Sequence, residues 1–320
     1  MNRTPRIRIG TLVAASTLVL ATAACGGESL DSSEDTPAEV GSVVLDEAPE
    51  EDAAAEIINS IEPDPELAAA VPADIRTEGL EMTTSAGYPP MEMFGSDGTT
   101  IIGLDPSLGR AIARKLGVNI NITNEDFNAQ IPGIVTGRYD ILMSSMTDNA
   151  ERQAQVSFVD YVAGGAGFIV PAGNPDGISS GADLCGKVVS VVDNGSSLTL
   201  AEQYDADCTS NGAPAIEILK FTGDQDALLQ VINGRADANI TDYVVASFKA
   251  SDPSTDVEAV AIDGTETPWG VAMEPGNEEL IESVKGAVDA LIESGEYGEI
   301  LDAWDLGELA VPAAVVNGGK

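Results

Sequence analysis

The chain has 320 residues and a formal net charge of −38, with 53 acidic side chains against 15 lysines and arginines and no histidine. This length accommodates two domains of ordinary size. The charge argues against nucleic acids and anionic membranes, which bind basic surfaces. The lack of histidine excludes Ser-His-Asp and Cys-His catalysis and histidine metal sites.

Residues 1–24 are predicted to be an export signal. Three arginines precede an apolar run, residues 9–24, which ends in small residues and is short for a membrane span. Small residues before Cys25, with two glycines after it, resemble a bacterial lipoprotein signal in which Cys25 becomes lipidated. Thr22 departs from that pattern, and a secretory signal that leaves Cys25 as a spare thiol is the alternative.

The other two cysteines, Cys185 and Cys208, are predicted to form a disulfide. An exported protein meets an oxidising environment, and three cysteines leave one over unless Cys25 carries lipid. A bond between Cys185 and Cys208 would close a loop of roughly 20 residues and stabilise the fold by about 3 kcal/mol. Two buried thiols are the alternative.

Residues 25–75 are predicted to be an acidic, flexible stalk. Between Glu28 and Asp74 there are fifteen acids and no lysine or arginine. Such a segment buries too little apolar surface to offset the entropy of ordering it, although residues 55–61 are compatible with one or two helical turns. It would tether the folded body to a membrane, and an inert disordered leader is the alternative.

Strand and helix patterns alternate beyond the stalk. Residues 79–90 are typical of a strand that ends in a turn. Residues 103–117 predict a helix with Asp105 as its N-cap, and a strand over 118–123 and a short helix over 130–137 follow. This alternation predicts an α/β fold with a mostly parallel sheet.

One pattern occurs twice along the chain. Residues 131–146 and 228–243 each predict a helix, a Gly-Arg-Xaa-Asp turn, a strand and a polar exit. Ligands of open α/β sheets bind beyond the carboxyl ends of strands. The repeat therefore indicates two lobes around one cleft, although helix, glycine and strand also succeed one another in many α/β proteins. The polar residues at the two strand ends are Ser144, Ser145 and Thr147, and Thr241 and Asp242.

The boundaries between the lobes are predicted at extended segments with proline and glycine breaks. The return to the first lobe contains an amphipathic helix that begins after Asn277 and ends at Gly295. The resulting division is a signal peptide (1–24), the stalk (25–75), lobe 1 (76–172), lobe 2 (173–264), a return segment of lobe 1 (265–310) and a tail (311–320).

Nine short motifs between residues 72 and 308, among them TSAGYPP (84–90), MSSMTDNAER (143–152) and GRADANITD (234–242), occur in a defined order. Each motif is weak alone, but the ordered set resembles the extracytoplasmic solute-binding proteins of amino-acid ABC transporters, bacterial solute-binding protein family 3. The resemblance implies a type II periplasmic-binding-protein fold. In that fold two α/β lobes are joined by two extended hinge strands, and the ligand cleft lies between them.

The resemblance also implies the groups that hold a ligand. The segment matching 143–152 holds the ligand's α-carboxylate, which assigns that role to Arg152 with help from Thr147 and Ser145. A planar guanidinium clamps a carboxylate with two hydrogen bonds, most strongly where water is excluded. Asp242 stands where the family binds the ligand's ammonium, so a zwitterion would latch the lobes together. A surface ion pair with a neighbouring acid is the alternative for Arg152.

Four further contacts follow from the same resemblance. Ser196 and Ser197 match hydroxyl residues that hydrogen-bond the ligand from the second lobe. Tyr88 and Phe127 match side chains that stack against the ligand's side chain, and ordinary core packing is the alternative for both.

Three positions bear on specificity. Ser85 stands where several relatives with cationic or amide ligands have aspartate. Asp193 lies near a pocket position that is often neutral or basic in relatives, and an acid there would favour a basic ligand such as arginine or lysine. Sliding the alignment by one residue removes that preference. Gln130 is either an amide contact or simply exposed.

The predicted function is to bind an amino acid, preferably polar or basic, and to deliver it to an ABC importer by closing the cleft. We expect a monomer on the outer face of the cytoplasmic membrane, anchored by lipid on Cys25, with no cofactor, metal or nucleic acid. Its partners would be the free amino acid and the transporter permease. We expect no catalysis, since the cleft has no activated nucleophile. A sensory or adhesive surface lipoprotein and a dehydratase-like enzyme on the same fold are the alternatives.

Overall fold

The computed structural model describes residues 44–320. The predicted signal peptide, Cys25 and the first part of the predicted stalk lie outside these residues. The described chain folds into two α/β lobes, each built on its own sheet. The first part of lobe 1 contains α1 (Ala55–Ser60), α2 (Pro65–Ala70), α3 (Ala73–Glu78), β1 (Leu80–Thr84), β2 (Met93–Phe94), β3 (Ile101–Ile102), α4 (Leu104–Lys115), β4 (Ile120–Asn124), α5 (Phe127–Val135), β5 (Ile141–Leu142), α6 (Ala150–Gln153) and β6 (Ser157–Gly164).

Lobe 2 is inserted into lobe 1, because the chain leaves the first sheet once and later returns to it. Lobe 2 contains β7 (Ala166–Pro171), β8 (Val188–Val192), α7 (Ser196–Ser210), β9 (Glu217–Phe221), α8 (Asp224–Ile232), β10 (Ala238–Asp242), α9 (Tyr243–Ala250) and β11 (Val257–Ala261). The return to lobe 1 contains β12 (Thr267–Met273), α10 (Glu278–Ser294), α11 (Glu296–Ala303) and β13 (Ala310–Val316).

Both sheets are mixed, which corrects the prediction of a mostly parallel sheet. The strand order is β13-β6-β12-β5-β1-β4 in lobe 1 and β11-β7-β10-β8-β9 in lobe 2. β1 runs parallel to β4 and β5, and β8 runs parallel to β9 and β10. The strands beside the two crossings, β6, β7, β11 and β12, pair antiparallel. Helices cover both faces of each sheet, so apolar residues are buried on either side.

The chain passes from lobe 1 to lobe 2 at Gly165, between β6 and β7. The boundary predicted after residue 172 is therefore wrong, because residues 166–171 pair with β10 and β11 in the second sheet. A single apolar run over 157–171 contains both strands, and only the glycines inside it mark the change of sheet. The chain returns between Ala261 and Thr267.

Residues 44–75 fold against lobe 1, so the prediction of a flexible stalk is wrong for this part. Ile58 and Ile61 are each 1% exposed, and Val71 and Ile75 are also buried in the lobe 1 core. α1 packs on α4 and α2 packs on α10. The many acids lie mostly on the exposed faces, and Asp64 caps α2 by accepting from two backbone N–H groups. The burial of these spaced apolar residues therefore determines that the segment is folded, despite its acidic composition.

Residues 310–316 form β13, an edge strand on β6, so the tail predicted from residue 311 is also wrong. The predicted disulfide is confirmed: Cys185 and Cys208 are joined, with their Cα atoms 5.5 Å apart. It links the start of lobe 2 to the last turn of α7.

The predicted capping residues are confirmed for α10 and wrong for α4. The side chain of Asn277 accepts from the N–H of Leu280, and Gly295 ends α10 in a left-handed conformation, as predicted. The N-cap of α4 is Gly103, whereas Asp105 lies inside the helix with a fully buried side chain. None of the helices within 44–320 has the length and apolar character needed to cross a membrane.

Candidate functional site

A cavity of about 660 Å³ lies between the lobes, at the carboxyl ends of β1, β5, β8 and β10. Its size suits a small-molecule ligand. It brings together nine of the ten residues predicted as ligand contacts, and Asp193 is the exception. The nine are Ser85, Tyr88, Phe127, Ser145, Thr147, Arg152, Ser196, Ser197 and Asp242.

Arg152 enters the cavity from α6, a single helical turn. The side chain of Asn149 caps this turn by accepting from the N–H of Arg152. The guanidinium donates through Nη1 to the carbonyl of Thr147, at 2.9 Å, and through Nη2 to the carbonyl of Asn194 in lobe 2, at 3.1 Å. Its central carbon lies 5.7 Å from the centre of the Phe127 ring. The planar cation is thus fixed by carbonyls on both lobes and an aromatic face.

The charge of Arg152 has no counter-ion at contact distance. Among residues 44–320 no carboxylate forms an ion pair with this guanidinium, which is 8% exposed. Burial lowers the pKa of Arg152 to about 10, and the field of Asp242 partly opposes this shift. A desolvated cation without a partner carboxylate is suited to binding an anionic group. The alternative of a surface ion pair is excluded for the described chain.

Asp242 ends β10 and faces lobe 1. Its Oδ2 accepts from the hydroxyl of Tyr88 at 2.6 Å, and its backbone N–H donates to the same hydroxyl at 3.1 Å. The Tyr88 hydroxyl also lies 2.8 Å from Oγ1 of Thr241. Burial raises the pKa of Asp242 to about 6, although the hydrogen bond from Tyr88 and the charge of Arg152 act in the other direction. Tyr88 therefore links lobe 1 directly to the acid of lobe 2.

The buried ion pair between Asp224 and Lys249 lies next to the contact between Tyr88 and the end of β10. Thr241 donates through Oγ1 to Oδ1 of Asp224, at 3.1 Å, and Oδ2 of Asp224 pairs with Lys249. Nζ of Lys249 lies 5.9 Å from the centre of the Tyr88 ring. Burial lowers the pKa of Lys249 to about 7. The predictions did not include Asp224 or Lys249, because the contact between them joins two separate helices. The one available signal was the position of Asp224, which follows the end of a strand at the start of α8.

A second pair of acids, Glu92 and Asp105, lies behind the segment that follows β5. Asp105 accepts through Oδ2 from the N–H of Ser145, at 2.6 Å, and through Oδ1 from the hydroxyl of Tyr161, at 2.5 Å. Glu92 accepts through Oε1 from the hydroxyl of Ser144 at 2.9 Å. Burial and the neighbouring Asp105 raise the pKa of Glu92 well above its usual value. These contacts hold Ser145 at a positive φ of 46°, which a serine seldom adopts unaided.

Sequence reasoning missed Glu92 and Asp105 as parts of the site. Two signals were available in the sequence. Glu92 is a lone acid within the apolar stretch PPMEMF, and Asp105 follows glycine and leucine at the start of a helix. Both carboxyl groups are almost fully buried, and buried acids without a cation are uncommon.

Ser196 and Ser197 are the first residues of α7 and line the cavity from lobe 2. A helix N-terminus favours negative charge because its first N–H groups have no partner within the helix. Ser85 lines the opposite wall, and its N–H donates to Oγ of Ser144 at 3.1 Å.

The structure does not place Asp193 and Gln130 at the cavity. The N–H of Asp193 bonds to the carbonyl of Phe221 at the end of the neighbouring strand, and Asp193 is not among the lining residues. Gln130 is fully buried on α5 and does not line the cavity either. The preference for a basic ligand that was inferred from Asp193 therefore loses its basis. The acids that do line the cavity are Glu92, Asp224, Asp226 and Asp242.

Comparison with known proteins gives matches over nearly all of the two lobes. The family model described as "Bacterial extracellular solute-binding proteins, family 3" matches residues 80–308. An arginine-binding protein of Corynebacterium glutamicum is 30% identical over 263 residues, which cover 80% of this chain and 84% of that protein.

Two solved structures of reconstructed ancestral proteins are also similar. An ancestral arginine-binding protein bound to glutamine has 31% identity and a TM-score of 0.65, covering 71% of this chain and 97% of that one. An ancestral amino-acid-binding protein, a precursor of cyclohexadienyl dehydratase, has 30% identity and a TM-score of 0.65, covering 72% and 97%.

Proposed function

The chain belongs to the bacterial extracellular solute-binding proteins of family 3, and on this premise we propose that it binds an amino acid between its lobes and delivers it to an ABC importer. The observation that carries the proposal is the pair of groups on opposite lobes, Arg152 and Asp242. Arg152 is a buried cation without a carboxylate partner in the described chain, and Asp242 is a half-buried acid at the same cavity. A zwitterion supplies the missing partner of each.

Binding proceeds through two charge-assisted contacts. The ligand's α-carboxylate accepts hydrogen bonds from the guanidinium of Arg152, supported by the N–H of Thr147 and by Ser145. The ligand's α-ammonium donates to Asp242, and Ser196 and Ser197 add hydroxyl contacts from lobe 2. Each charge is fully satisfied only when the lobes close, so the ligand stabilises the closed form. An importer that recognises the closed form then receives loaded protein preferentially.

We propose a basic or polar side chain on the ligand, with arginine as the first candidate. Of the acids that line the cavity, Asp226 is exposed and forms no ion pair within residues 44–320, whereas Asp224 pairs with Lys249 and Asp242 is assigned to the ligand's ammonium. The Corynebacterium relative is named an arginine-binding protein, and an ancestral arginine-binding protein also holds glutamine. Phe127 and Tyr88 provide aromatic walls for the methylene groups of such a ligand.

We further propose that the mature protein is a monomer anchored by lipid on Cys25, after removal of residues 1–24. The support is the sequence pattern around Cys25. Mass spectrometry of the membrane fraction tests this: a diacylglyceryl group on Cys25 is expected, and a soluble protein with a free Cys25 contradicts it.

The function is tested by calorimetric titration of ligand-free protein with L-arginine, L-lysine, L-glutamine and L-glutamate. We expect Arg152→Ala to weaken binding by at least about thirtyfold, because removing one partner of a desolvated charge pair costs about 2–5 kcal/mol. Arg138→Ala is the matched control, since the Arg138 side chain is 63% exposed and pairs with Glu125 at the surface. Equal affinities of the two variants would reject the assignment.

A dehydratase activity is the second candidate, favoured by the likeness to a dehydratase precursor. Glu92 lines the cavity and Asp105 lies behind Ser145, but Glu92 already accepts from Ser144, and Asp105 from Ser145 and Tyr161. We propose binding without catalysis, and turnover of prephenate or arogenate by the purified protein would contradict this.

A further inference from the structure

The segment that follows α11 runs from the edge of the lobe 1 sheet to the cavity. After β13 the N–H of Asn317 donates to the carbonyl of Phe158 at 3.1 Å, and the Asn317 side chain accepts from the N–H of Phe158 at 2.8 Å. The N–H of Gly318 then donates to Oδ2 of Asp160 at 3.2 Å. The next residue but one, Lys320, lines the cavity. These residues lie beyond the part of the chain that the family model matches.

Gly319 contacts both sides of the turn that carries Arg152. Its N–H donates to Oδ2 of Asp148 at 2.8 Å, and its carbonyl accepts from Nε2 of Gln153 at 3.1 Å. Nε2 of Gln153 also donates to Oδ1 of Asp148 at 2.7 Å. Asp148 follows Thr147, whose carbonyl holds the guanidinium, and Gln153 directly follows Arg152. Gly319 therefore closes a ring of hydrogen bonds around the residues that fix Arg152.

The fit at this point requires glycine. A Cβ atom added to Gly319 would overlap the backbone carbonyl of Asp148, and one added to Gly318 would overlap the carboxylate of Asp160. Asp148 is 1% exposed and Asp160 4%, so neither has free space to move into. The Asn-Gly-Gly sequence at 317–319 is thus matched to two buried acids.

We propose that residues 310–320 form a strap that positions Arg152 for the ligand's carboxylate, with Lys320 completing the cavity wall on the same side. The inference rests on the proposed function for its ligand, but its structural part concerns the protein alone. Without the strap, Asp148 and Gln153 lose their shared partner, and the turn keeps the Asn149 cap and the bond from the N–H of Asp148 to the carbonyl of Pro268. A turn of four residues has no stability of its own. The orientation of Arg152 therefore depends on residues outside the matched segment.

The test compares Gly319→Ala with Gly298→Ala, since an added Cβ at Gly298 meets no atom within 4 Å. The first measurement is hydrogen exchange of the ligand-free protein. Peptides covering 147–153 are expected to exchange several-fold faster in Gly319→Ala than in wild type, and at the wild-type rate in Gly298→Ala. Equal exchange in the two variants would overturn the proposal.

The second measurement is calorimetry with L-arginine and L-argininamide, which has a neutral amide in place of the carboxylate. In Gly319→Ala the dissociation constant for L-arginine is expected to rise about tenfold while that for L-argininamide changes little. An equal loss for both probes would mean general loosening and would overturn the positioning role. If wild type binds no amino acid, the proposed function fails, and the exchange experiment alone decides whether the strap braces Arg152.

Discussion

At the scale of single residues, Asp242 joins the two lobes and is also the group that we propose for the ligand's ammonium. Asp242 is half-buried, its carboxylate accepts from Tyr88, and it lies in the field of Arg152. The carboxyl group of Asp105 opposes the ionisation of Asp242, and Asp242 in turn helps to raise the pKa of Glu92. The pKa of about 6 is the balance between burial and these contacts.

This balance predicts a pH dependence of ligand binding. The ligand's ammonium requires ionised Asp242, so below a pKa of about 6 binding must first remove a proton. The dissociation constant is expected to rise about tenfold per pH unit below that value and to stay flat above it, because Arg152 remains charged throughout. Calorimetry between pH 4.5 and 8 checks this. Asp242→Asn should bind weakly at every pH without that slope, and a slope that persists in this variant would assign it to Glu92 or Asp105 instead.

A different acid, Asp160, predicts a pH dependence of stability. Burial and the adjacent Asp148 raise the pKa of Asp160 to about 7. The folded protein therefore holds a proton that the unfolded chain releases near pH 4, so this contribution to the free energy of unfolding is lost as pH rises from about 4 to 7. Asp160→Asn is expected to flatten that part of the profile, measured by urea unfolding.

Asp263→Asn is the charge-matched control for that experiment, because Asp263 is exposed. The control should keep the wild-type slope. If the free energy of unfolding of Asp160→Asn depends on pH as in wild type, the proton that the folded protein retains is bound to a group other than Asp160.

At the scale of elements, the three short helices before β1 behave as part of lobe 1. Ile58→Ala is expected to lower the free energy of unfolding by about 2–5 kcal/mol, since it leaves a cavity among buried side chains. Glu56→Ala on the exposed face of the same helix should change it by less than about 0.5 kcal/mol. Urea unfolding measures the free energy of unfolding of both variants. If neither variant differs from wild type, residues 44–75 do not pack stably on lobe 1.

Elements with local signals were predictable from the sequence. The caps Asn277 and Gly295 mark α10, and Gly137 and Gly234 take the positive φ expected after a helix. The passage from β6 to β7 was not predictable, because both strands are apolar and extended and only their pairing partners differ. Pairing joins residues far apart in the chain, which a local pattern does not contain.

The same distinction applies to the site. Arg152 and Asp242 lie within motifs at a turn and at a strand end, and both line the cavity as predicted, while their roles toward a ligand stay a prediction. Glu92 matters through a contact with Ser144, 52 positions away, and no local feature of the sequence encodes it. Asp193 does not line the cavity, and its N–H bonds to the carbonyl of Phe221 on the neighbouring strand, a contact that joins residues far apart in the chain.

At the scale of the whole molecule, the lobes touch across the cavity through their own side chains. Tyr88 bonds to Asp242, Gln225 donates to the carbonyl of Gly87, and Asn194 donates to Asn128. The closed form therefore has stabilising contacts that do not involve a ligand. Ligand binding adds to this preference and does not create it alone.

Tyr88→Phe removes one of these contacts while keeping the ring. In the absence of ligand we expect the variant to populate the open form more, because a hydrogen bond to a charged group is worth about 1.5–3 kcal/mol. Small-angle X-ray scattering should record a larger radius of gyration than for wild type, and saturating L-arginine should reduce the difference. Identical ligand-free scattering of the two proteins would contradict this role for Tyr88.

The two points at which the chain passes between the lobes affect how proteins of this fold can evolve. Lobe 2 begins and finishes within a few residues of glycines at 165 and 264, and its disulfide lies wholly inside it. Its contribution to the cavity, including Asp242 and the two serines of α7, is encoded in one uninterrupted stretch of gene. Recombination at two points would exchange the part of the cavity wall that lobe 2 supplies as one unit, leaving Arg152 and the rest of lobe 1 in place.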